Sequence, residues 1–370
     1  MEQPSLRLPL YAKLSLVTVG LVASFFILWI GQDIIVPLIF ATILAVLMNP
    51  AVVWLERRGL GRVLSILIAL IVGFALIIAL LYFLASQISL FSSSLPQFKE
   101  KLGVLWHDTL GWLNTHLHVD EQRVRGWLQR ARQQGLDQGG AMLGSTLSTI
   151  SSLVALLFLL PVYIFMILLY KDLLIRFILM LFGDGHRHAV SEVLMQVRSV
   201  VQSYLVGLLV EAAIVAVLNS VGLLLIGVDY AILLGVIGAL LNVIPYVGGL
   251  VAIALPMLVA FATQTPTAAL LVVVVYTVVQ FIDNNVVVPR VVAGKVEVNG
   301  LASVVVVLIG GALWGVAGMF LSLPLTAILK VIFDRVPELV PFGYVLGEGD
   351  DNGKPRGRKT AMRLPARKKR

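Results

Sequence analysis

Long runs of apolar residues dominate the pattern of this chain. Six stretches contain no Asp, Glu, Lys or Arg, and they lie at residues 14–31, 34–55, 63–98, 138–170, 230–282 and 298–329. About 20 such residues cross a bilayer as a helix, whereas the strands of a membrane barrel alternate in short segments. Because a helix satisfies all its backbone groups within one continuous segment, the pattern predicts an all-α polytopic membrane protein.

Hydropathy alone gives eight spans, but two of the segments are too long for a single crossing. Segment 230–262 would measure about 50 Å as a straight helix, against about 30 Å of hydrocarbon. Its midpoint carries Pro245 and Gly248-Gly249, and segment 299–329 has Gly310, Gly311 and Gly315 near its own midpoint. Such helix-breaking residues indicate two half-length helices joined at a tip. We therefore predict about six full transmembrane helices and two Gly/Pro-broken re-entrant hairpins.

The charges of the short loops favour hairpins over single crossings. The loop at 56–62 carries three arginines, and short basic loops remain in the cytoplasm. If both broken segments crossed once, Arg290 and Lys295 would lie outside. If both are hairpins that enter from opposite sides, these residues lie inside together with the C-terminal tail. The sequence thus predicts a multi-pass membrane protein with cytoplasmic N- and C-termini.

These segments divide the chain into four predicted parts. Residues 1–86 hold transmembrane helices 1–3, interpreted as a scaffold, with the second span broken at Pro37 and Pro50. Leucines at helical spacing predict an amphipathic extramembrane insertion at 87–145. The transmembrane transport core covers 146–347 and includes both broken segments. A basic, disordered cytoplasmic tail is predicted at 348–370.

Composition changes this picture only at the tail. The chain is 59% hydrophobic and 13% charged, with a net charge of +8. Residues 354–370 carry nine of the 28 basic residues and no acid, so the other 19 basic residues nearly balance the 20 acidic ones. We expect a solvated tail or one that contacts anionic lipid, and we expect no nucleic-acid partner. The absence of cysteine excludes disulfides and cysteine-based metal sites.

Polar residues inside the apolar segments are the candidates for function. Gln280, Asp283 and Asn284 are spaced i, i+3 and i+4, so they share one face of a helix. A carboxylate at a helix centre costs roughly 2.5–3.5 kcal/mol on insertion scales, so this face is expected to meet the hairpin tips or a hydrated path. The alternative places Asp283 near the interface, paired with a local cation. Glu211 also lies inside a span, where it either carries a proton or cation or bonds across a helix interface.

The candidate substrate- or ion-binding residues combine these polar groups with the two tips. They are Glu211, Asn242, Pro245, Gly248, Gly249, Gln280, Asp283, Asn284, Asn285, Gly310, Gly311 and Gly315. The alternative for the glycines is that they only let helices pack closely, and buried asparagines such as Asn219 and Asn242 are more often structural. No phosphate-binding loop, catalytic triad or metal motif is visible, so we expect no enzyme, no metal and no cofactor.

Three stretches resemble the autoinducer-2 exporter (AI-2E) family. They are NVIPYVGGLVAIALP at 242–256, the stretch at 280–336 that begins QFIDNNVVVPR, and PFGYVLG at 341–347. The resemblance implies an inner-membrane transporter that forms a homo-oligomer, with a pentamer suspected. It does not fix the substrate, because some members are linked to export of the furanone signal and others to sodium/proton antiport.

We therefore expect a secondary transporter that exports a small polar solute with ion coupling, the autoinducer-2 signal being one candidate. In this hypothesis the two hairpin tips and the stripe 280–285 enclose a site at the midplane. Asn284 and Asn285 bind the solute, and Asp283 or Glu211 binds the coupling proton or sodium ion. The alternatives are a sodium (or potassium)/proton antiporter without an organic substrate and a non-transporting membrane scaffold.

Overall fold

The structure is a computed structural model, and it describes residues 9–87, 158–244, 247–291 and 298–347. Within these ranges the regular elements are helices and no strand is present. The predicted insertion at 87–145, apart from its first residue, and the predicted tail at 348–370 lie outside the described residues.

The described residues form twelve α-helices. They are α1 (Leu10–Ile30), α2 (Gln32–Arg57), α3 (Arg62–Gln87), α4 (Phe158–Leu169), α5 (Lys171–Leu181), α6 (Arg187–Ile226), α7 (Ala231–Asn242), α8 (Val247–Thr263), α9 (Pro266–Ile282), α10 (Val288–Val291), α11 (Gly300–Phe333) and α12 (Val340–Leu346). A 3₁₀ turn at Asp184–His186 precedes α6, and a π-helical turn at Asp283–Val287 joins α9 to α10.

The lengths and surfaces of these helices confirm an all-α polytopic membrane protein. Five stretches are long and apolar enough to cross a membrane, namely α2, α3, α6, Pro266–Val291 and α11. Their outer surfaces are apolar, with Leu225 84% exposed and Leu301 79% exposed. Large exposed apolar surfaces of this kind are covered by lipid in a membrane.

The first broken segment forms the predicted hairpin from α7 and α8. Its two ends meet, because the Gln264 side-chain amide, just after α8, donates to the carbonyl of Gly227, just before α7. Ala231 at the start of α7 and Ala260 near the end of α8 belong to the same buried cluster. Both ends of the segment therefore lie at one level, as a re-entrant hairpin requires. Its tip contains Pro245, which lies outside the described residues.

The second broken segment also folds back on itself. Within α11 the backbone leaves helical geometry at Trp314, and Gly315 has φ +59°. Residues 310 and 318 would lie about 12 Å apart along a straight helix. Here a Cβ on Gly318 would overlap the carbonyl of Gly310, so the two arms lie backbone to backbone. The glycines therefore serve the close packing as well as the turn.

The two hairpins approach from opposite ends of α6, which is about 60 Å long. Gly235 in the first hairpin packs against Ser220, near the C-terminal end of α6. Arg335, which follows the second hairpin, bonds to Glu192 at 2.8 Å near the N-terminal end. This arrangement matches the predicted entry from opposite sides.

The second span differs from the prediction. Helix α2 continues through Pro37 and Pro50 instead of breaking there. Membrane helices tolerate proline where neighbouring groups compensate for the missing hydrogen bond. Helix α6 begins at Arg187, and its charged first turns extend the apolar span that contains Glu211.

A polar cluster joins α3, α4 and α5 at one end of the bundle. The Arg62 guanidinium donates to the Asp172 carboxylate at 2.6 Å and to the carbonyl of Leu168 at 2.9 Å. The hydrogen bond from Arg62 holds the pKa of Asp172 below its ordinary value. Lys171 donates to the Asn49 side chain of α2 at 3.1 Å, so α5 is tied to α2 at this end.

Candidate functional site

A cavity of about 700 Å³ lies where α6, the first hairpin and α9 meet the arms of the second hairpin. It is lined by Tyr204, Leu208, Glu211, Asn242, Val243, Gly249, Ile253, Thr277, Gln280, Phe281, Asp283, Asn284, Val288, Ser303 and Leu323. The wall combines apolar side chains with two carboxylates and several neutral polar groups, and its described residues include no Lys, Arg or His.

Asp283 is the most deeply buried polar group of this wall. It is 1% exposed and begins the π-helical turn after α9. The Asn242 amide, at the end of α7, donates to its Oδ2 at 3.0 Å. Its Oδ1 accepts no hydrogen bond from the described residues. Asp283 is therefore held against the first hairpin by Asn242.

The neighbouring amides form the floor of the cavity. The Gln280 side chain donates to the Asn284 side-chain oxygen at 3.3 Å. A Cβ on Gly249 would lie 3.0 Å from Oε1 of Gln280 and 3.6 Å from Oδ1 of Asn242. The glycine thus lets the start of α8 approach this group of amides.

Glu211 reaches the cavity from the middle of α6 and is 8% exposed. Tyr204, two turns earlier on the same helix, lines the same wall. Among the described residues we find no hydrogen bond or ion pair of the Glu211 carboxylate. The alternative of a hydrogen bond across a helix interface is therefore not seen in this part of the chain.

Other predicted site residues lie away from the cavity. Asn285 is exposed, and its amide donates back to the carbonyl of Phe281 at 2.8 Å. Gly248 packs tightly against the carbonyl of Leu241. Pro245 falls outside the described residues, and Gly249 lines the cavity wall together with Asn242 and Val243.

The tip of the second hairpin lies elsewhere as well. The Trp314 indole donates to the carbonyl of Leu28 in α1 at 3.0 Å, which places the tip against the scaffold. Gly310, Gly311 and Gly315 therefore do not line the cavity, and the second hairpin contributes Ser303 and Leu323 from its arms. The predicted enclosure by two tips is corrected to one tip and two arms.

Three polar wall residues were missed by the sequence reasoning. Thr277 precedes Gln280 by three positions, and Tyr204 precedes Glu211 by seven, so both continue a helical face already identified. Extending each periodicity toward the N-terminus would have found them. Ser303 carries no comparable signal. In the described ranges, no group of three or more His, Asp or Glu side chains is arranged to hold a metal ion.

Comparison with known proteins gives consistent matches over nearly the whole chain. The profile of the family described as AI-2E family transporter matches residues 19–338. "Putative transport protein YrrI" of Bacillus subtilis (strain 168) is 28% identical over 348 residues, covering 90% of this chain and 97% of that protein. "AI-2 transport protein TqsA" of Escherichia coli (strain K12) is 25% identical over 309 residues, covering 82% of this chain and 87% of that protein.

Proposed function

The chain belongs to the AI-2E transporter family, and from this premise we propose that it exports a small polar solute across the bacterial inner membrane with ion coupling. The observation that carries the proposal is the cavity of about 700 Å³ beside the first hairpin. Interrupted helices at membrane depth are tolerated where they line a cavity, and in secondary transporters they form the substrate site.

The composition of the wall supports a neutral solute. Gln280, Asn284 and Thr277 offer donors and acceptors for hydroxyl or carbonyl groups, and Leu208 and Ile253 provide apolar contact. A strongly anionic solute would require a cation, and the described residues of this wall include none. A furanone-type signal fits this description, and TqsA is named for transport of such a signal.

The two carboxylates are the proposed coupling groups. Intramembrane carboxylates commonly mark ion or proton paths, and Glu211 and Asp283 line the same cavity. In this proposal one of them binds the coupling proton or sodium ion while the amides hold the solute. Movement of the first hairpin against the scaffold would open the cavity to alternate sides.

The second candidate is a sodium (or potassium)/proton antiporter. It is favoured by the same pair of carboxylates, which have no basic partner among the described residues of the cavity wall. The antiporter and the solute exporter differ in the expected effect of neutralising the coupling carboxylate. An antiporter loses all ion exchange when its coupling carboxylate is neutralised, whereas a solute exporter retains downhill solute flux.

Flux in proteoliposomes with an internal pH-sensitive dye tests the proposal. Sodium, potassium and proton gradients would be imposed in turn on the wild type, Asp283→Asn and Glu211→Gln. We expect ion-driven proton movement that at least one substitution removes, while Asp33→Asn, an identical change at an exposed position outside the cavity, leaves it intact. The candidate furanone is then added inside the vesicles to separate the two functions.

Absence of flux of any ion and of the furanone would contradict a coupled exporter and favour the non-transporting scaffold. Cytoplasmic termini and a homo-oligomer, with a pentamer suspected, belong to the same proposal. The arginine-rich loop at 56–62 supports the former, and the family resemblance supports the latter. The mass of the purified protein in native mass spectrometry tests the oligomer.

A further inference from the structure

A second, much smaller cavity adjoins the buried side of Asp283. It measures about 10 Å³ and lies where α6, the first hairpin and α9 pack together. Its polar wall residues are Asn219, Asn242, Tyr276, Gln280 and Asp283. A space of this size holds about one water molecule or one small ion.

Two oxygens at this cavity are buried without a partner. Asn219 is 2% exposed and Asp283 is 1% exposed. The Oδ1 atom of each accepts no hydrogen bond from the part of the chain that the structure describes. A buried acceptor without a partner is unfavourable, and a buried carboxylate without a counter-charge is more so. The small cavity therefore requires an occupant that donates hydrogen bonds or carries positive charge.

The neighbouring polar groups direct their hydrogens elsewhere. The Tyr276 hydroxyl donates to the carbonyl of Leu234 at 3.3 Å, and the Asn242 amide donates to Oδ2 of Asp283. The Gln280 amide donates one turn ahead along its own helix. Each amide uses one of its two N–H hydrogens in these bonds, and neither bond uses the side-chain oxygen of Asn242 or Gln280. The described residues of the wall include no Lys, Arg or His.

We propose that this cavity is a binding site for a dehydrated monovalent cation of the size of Na⁺, with Oδ1 of Asp283 and Oδ1 of Asn219 as its principal ligands. Oxygen ligands suit hard cations, and broken helices in transporters supply such sites for Na⁺. The inference deepens the proposed transport function. The role of this cavity as the coupling site rests on that function. It also assigns a ligand role to Asn219, which the sequence alone suggests to be structural.

The alternatives are less well matched to the wall. A water molecule satisfies both orphan oxygens but leaves the charge of Asp283 uncompensated. A divalent cation usually takes more than one carboxylate or retains several waters. Asp283 is the single carboxylate of this small wall, since Glu211 lines the larger cavity.

The test is thermal unfolding of the purified full chain in detergent, in NaCl and in the same concentration of choline chloride. A ligand that binds the native state raises the unfolding midpoint. We expect Na⁺ to raise the midpoint of the wild type, and Asn219→Leu and Asp283→Asn to lose this shift. Thr326→Val, which removes another buried polar group away from both cavities, keeps the shift.

Asn219→Leu removes a buried acceptor that has no hydrogen-bond partner among the described residues, and it preserves much of the side-chain volume. The variant is therefore expected to fold, which keeps the test decisive. Its midpoint in choline chloride is expected to equal or exceed that of the wild type. An equal wild-type midpoint in the two salts overturns the proposal and assigns the cavity to water. A Na⁺ shift that survives both substitutions overturns it as well, because the ion then binds elsewhere.

Binding of radiolabelled Na⁺ to the same samples gives a second readout, with at least a tenfold loss of affinity expected in both variants. Neither measurement uses a gradient or a solute, so the cation site and the coupled export are tested independently. Na⁺ stabilisation without flux in proteoliposomes retains the cation site and rejects coupled export. Ion-driven flux without Na⁺ stabilisation or binding rejects the cation site and retains coupled export.

Discussion

Asp283 lines both cavities described above, and this shared position has a consequence for coupling. One carboxylate oxygen is bonded to Asn242 of the first hairpin, and the other is buried without a hydrogen-bond partner among the described residues. An ion bound at the small cavity therefore acts on the same side chain that borders the solute space. Thermodynamic linkage requires that the ion and the solute then affect each other's affinity by equal factors.

Gly249 provides a residue-scale test of the large cavity. A Cβ at this position meets only the ends of the Gln280 and Asn242 side chains, so Gly249→Ala is expected to fold and to transport. Gly249→Leu projects a larger group into the cavity. We expect it to reduce flux about tenfold or more, equivalent to ~1.4 kcal/mol, with little change in the unfolding midpoint.

Gly20→Leu is the matched control, because a Cβ on Gly20 in α1 meets nothing within 4 Å. The measurement is initial flux in proteoliposomes at equal protein content. Unchanged flux in Gly249→Leu would show that the solute does not pass this wall and would count against the proposed path.

At the scale of elements, the second hairpin depends on contact between two backbones. A Cβ on Gly318 would overlap the Gly310 carbonyl and lie 3.0 Å from Cβ of Trp314. Backbone cannot give way as a flexible side chain can. We therefore expect Gly318→Ala to lower the free energy of unfolding by about 1–3 kcal/mol, the usual range for overpacking.

Reversible unfolding in detergent, followed by tryptophan fluorescence, measures this change. Gly300→Ala is the control, since it makes the same substitution in the same helix where a Cβ has no neighbour within 4 Å. Equal stability of the two variants would contradict the close antiparallel packing of the arms.

The hairpins themselves could be predicted because their causes are local. Excess length, helix-breaking residues at each midpoint and the charges of short loops are all visible in the sequence, and segments 230–262 and 299–329 coincide with the observed hairpins within a few residues. The burial of Asp283 and its place beside Gln280 and Asn284 also followed from helical spacing and the cost of a charge in lipid.

The rest depends on contacts between distant residues. The π-helical turn at Asp283–Val287 begins at the residue that accepts a hydrogen bond from Asn242, 41 positions earlier. The tip of the second hairpin contacts Leu28, 286 positions from Trp314. No local pattern contains these pairings, so periodicity could not predict the bond between Asn242 and Asp283 or place the second tip.

At the scale of the whole molecule, two ion pairs determine which loops share a side. Arg62 at the start of α3 bonds to Asp172 in the first turn of α5, the short helix that precedes α6. Arg335, after the second hairpin, bonds to Glu192 in the first turns of α6. The loop before α3 and the base of the second hairpin therefore lie at the same end of the bundle. The first hairpin begins at the other end of α6.

Labelling of single cysteines tests how this geometry sits in the membrane, and the chain offers a cysteine-free background. Gly61→Cys and Gly300→Cys lie at one end of the bundle, and Asp229→Cys lies at the other, all at exposed positions. With the arginine-rich loop in the cytoplasm, we expect a membrane-impermeant maleimide to label Asp229→Cys in intact cells. The other two should react only after the membrane is permeabilised.

Labelling of Gly61→Cys and Gly300→Cys from different sides would contradict the re-entrant second hairpin. Reversed labelling of all three would retain the fold and invert the proposed orientation.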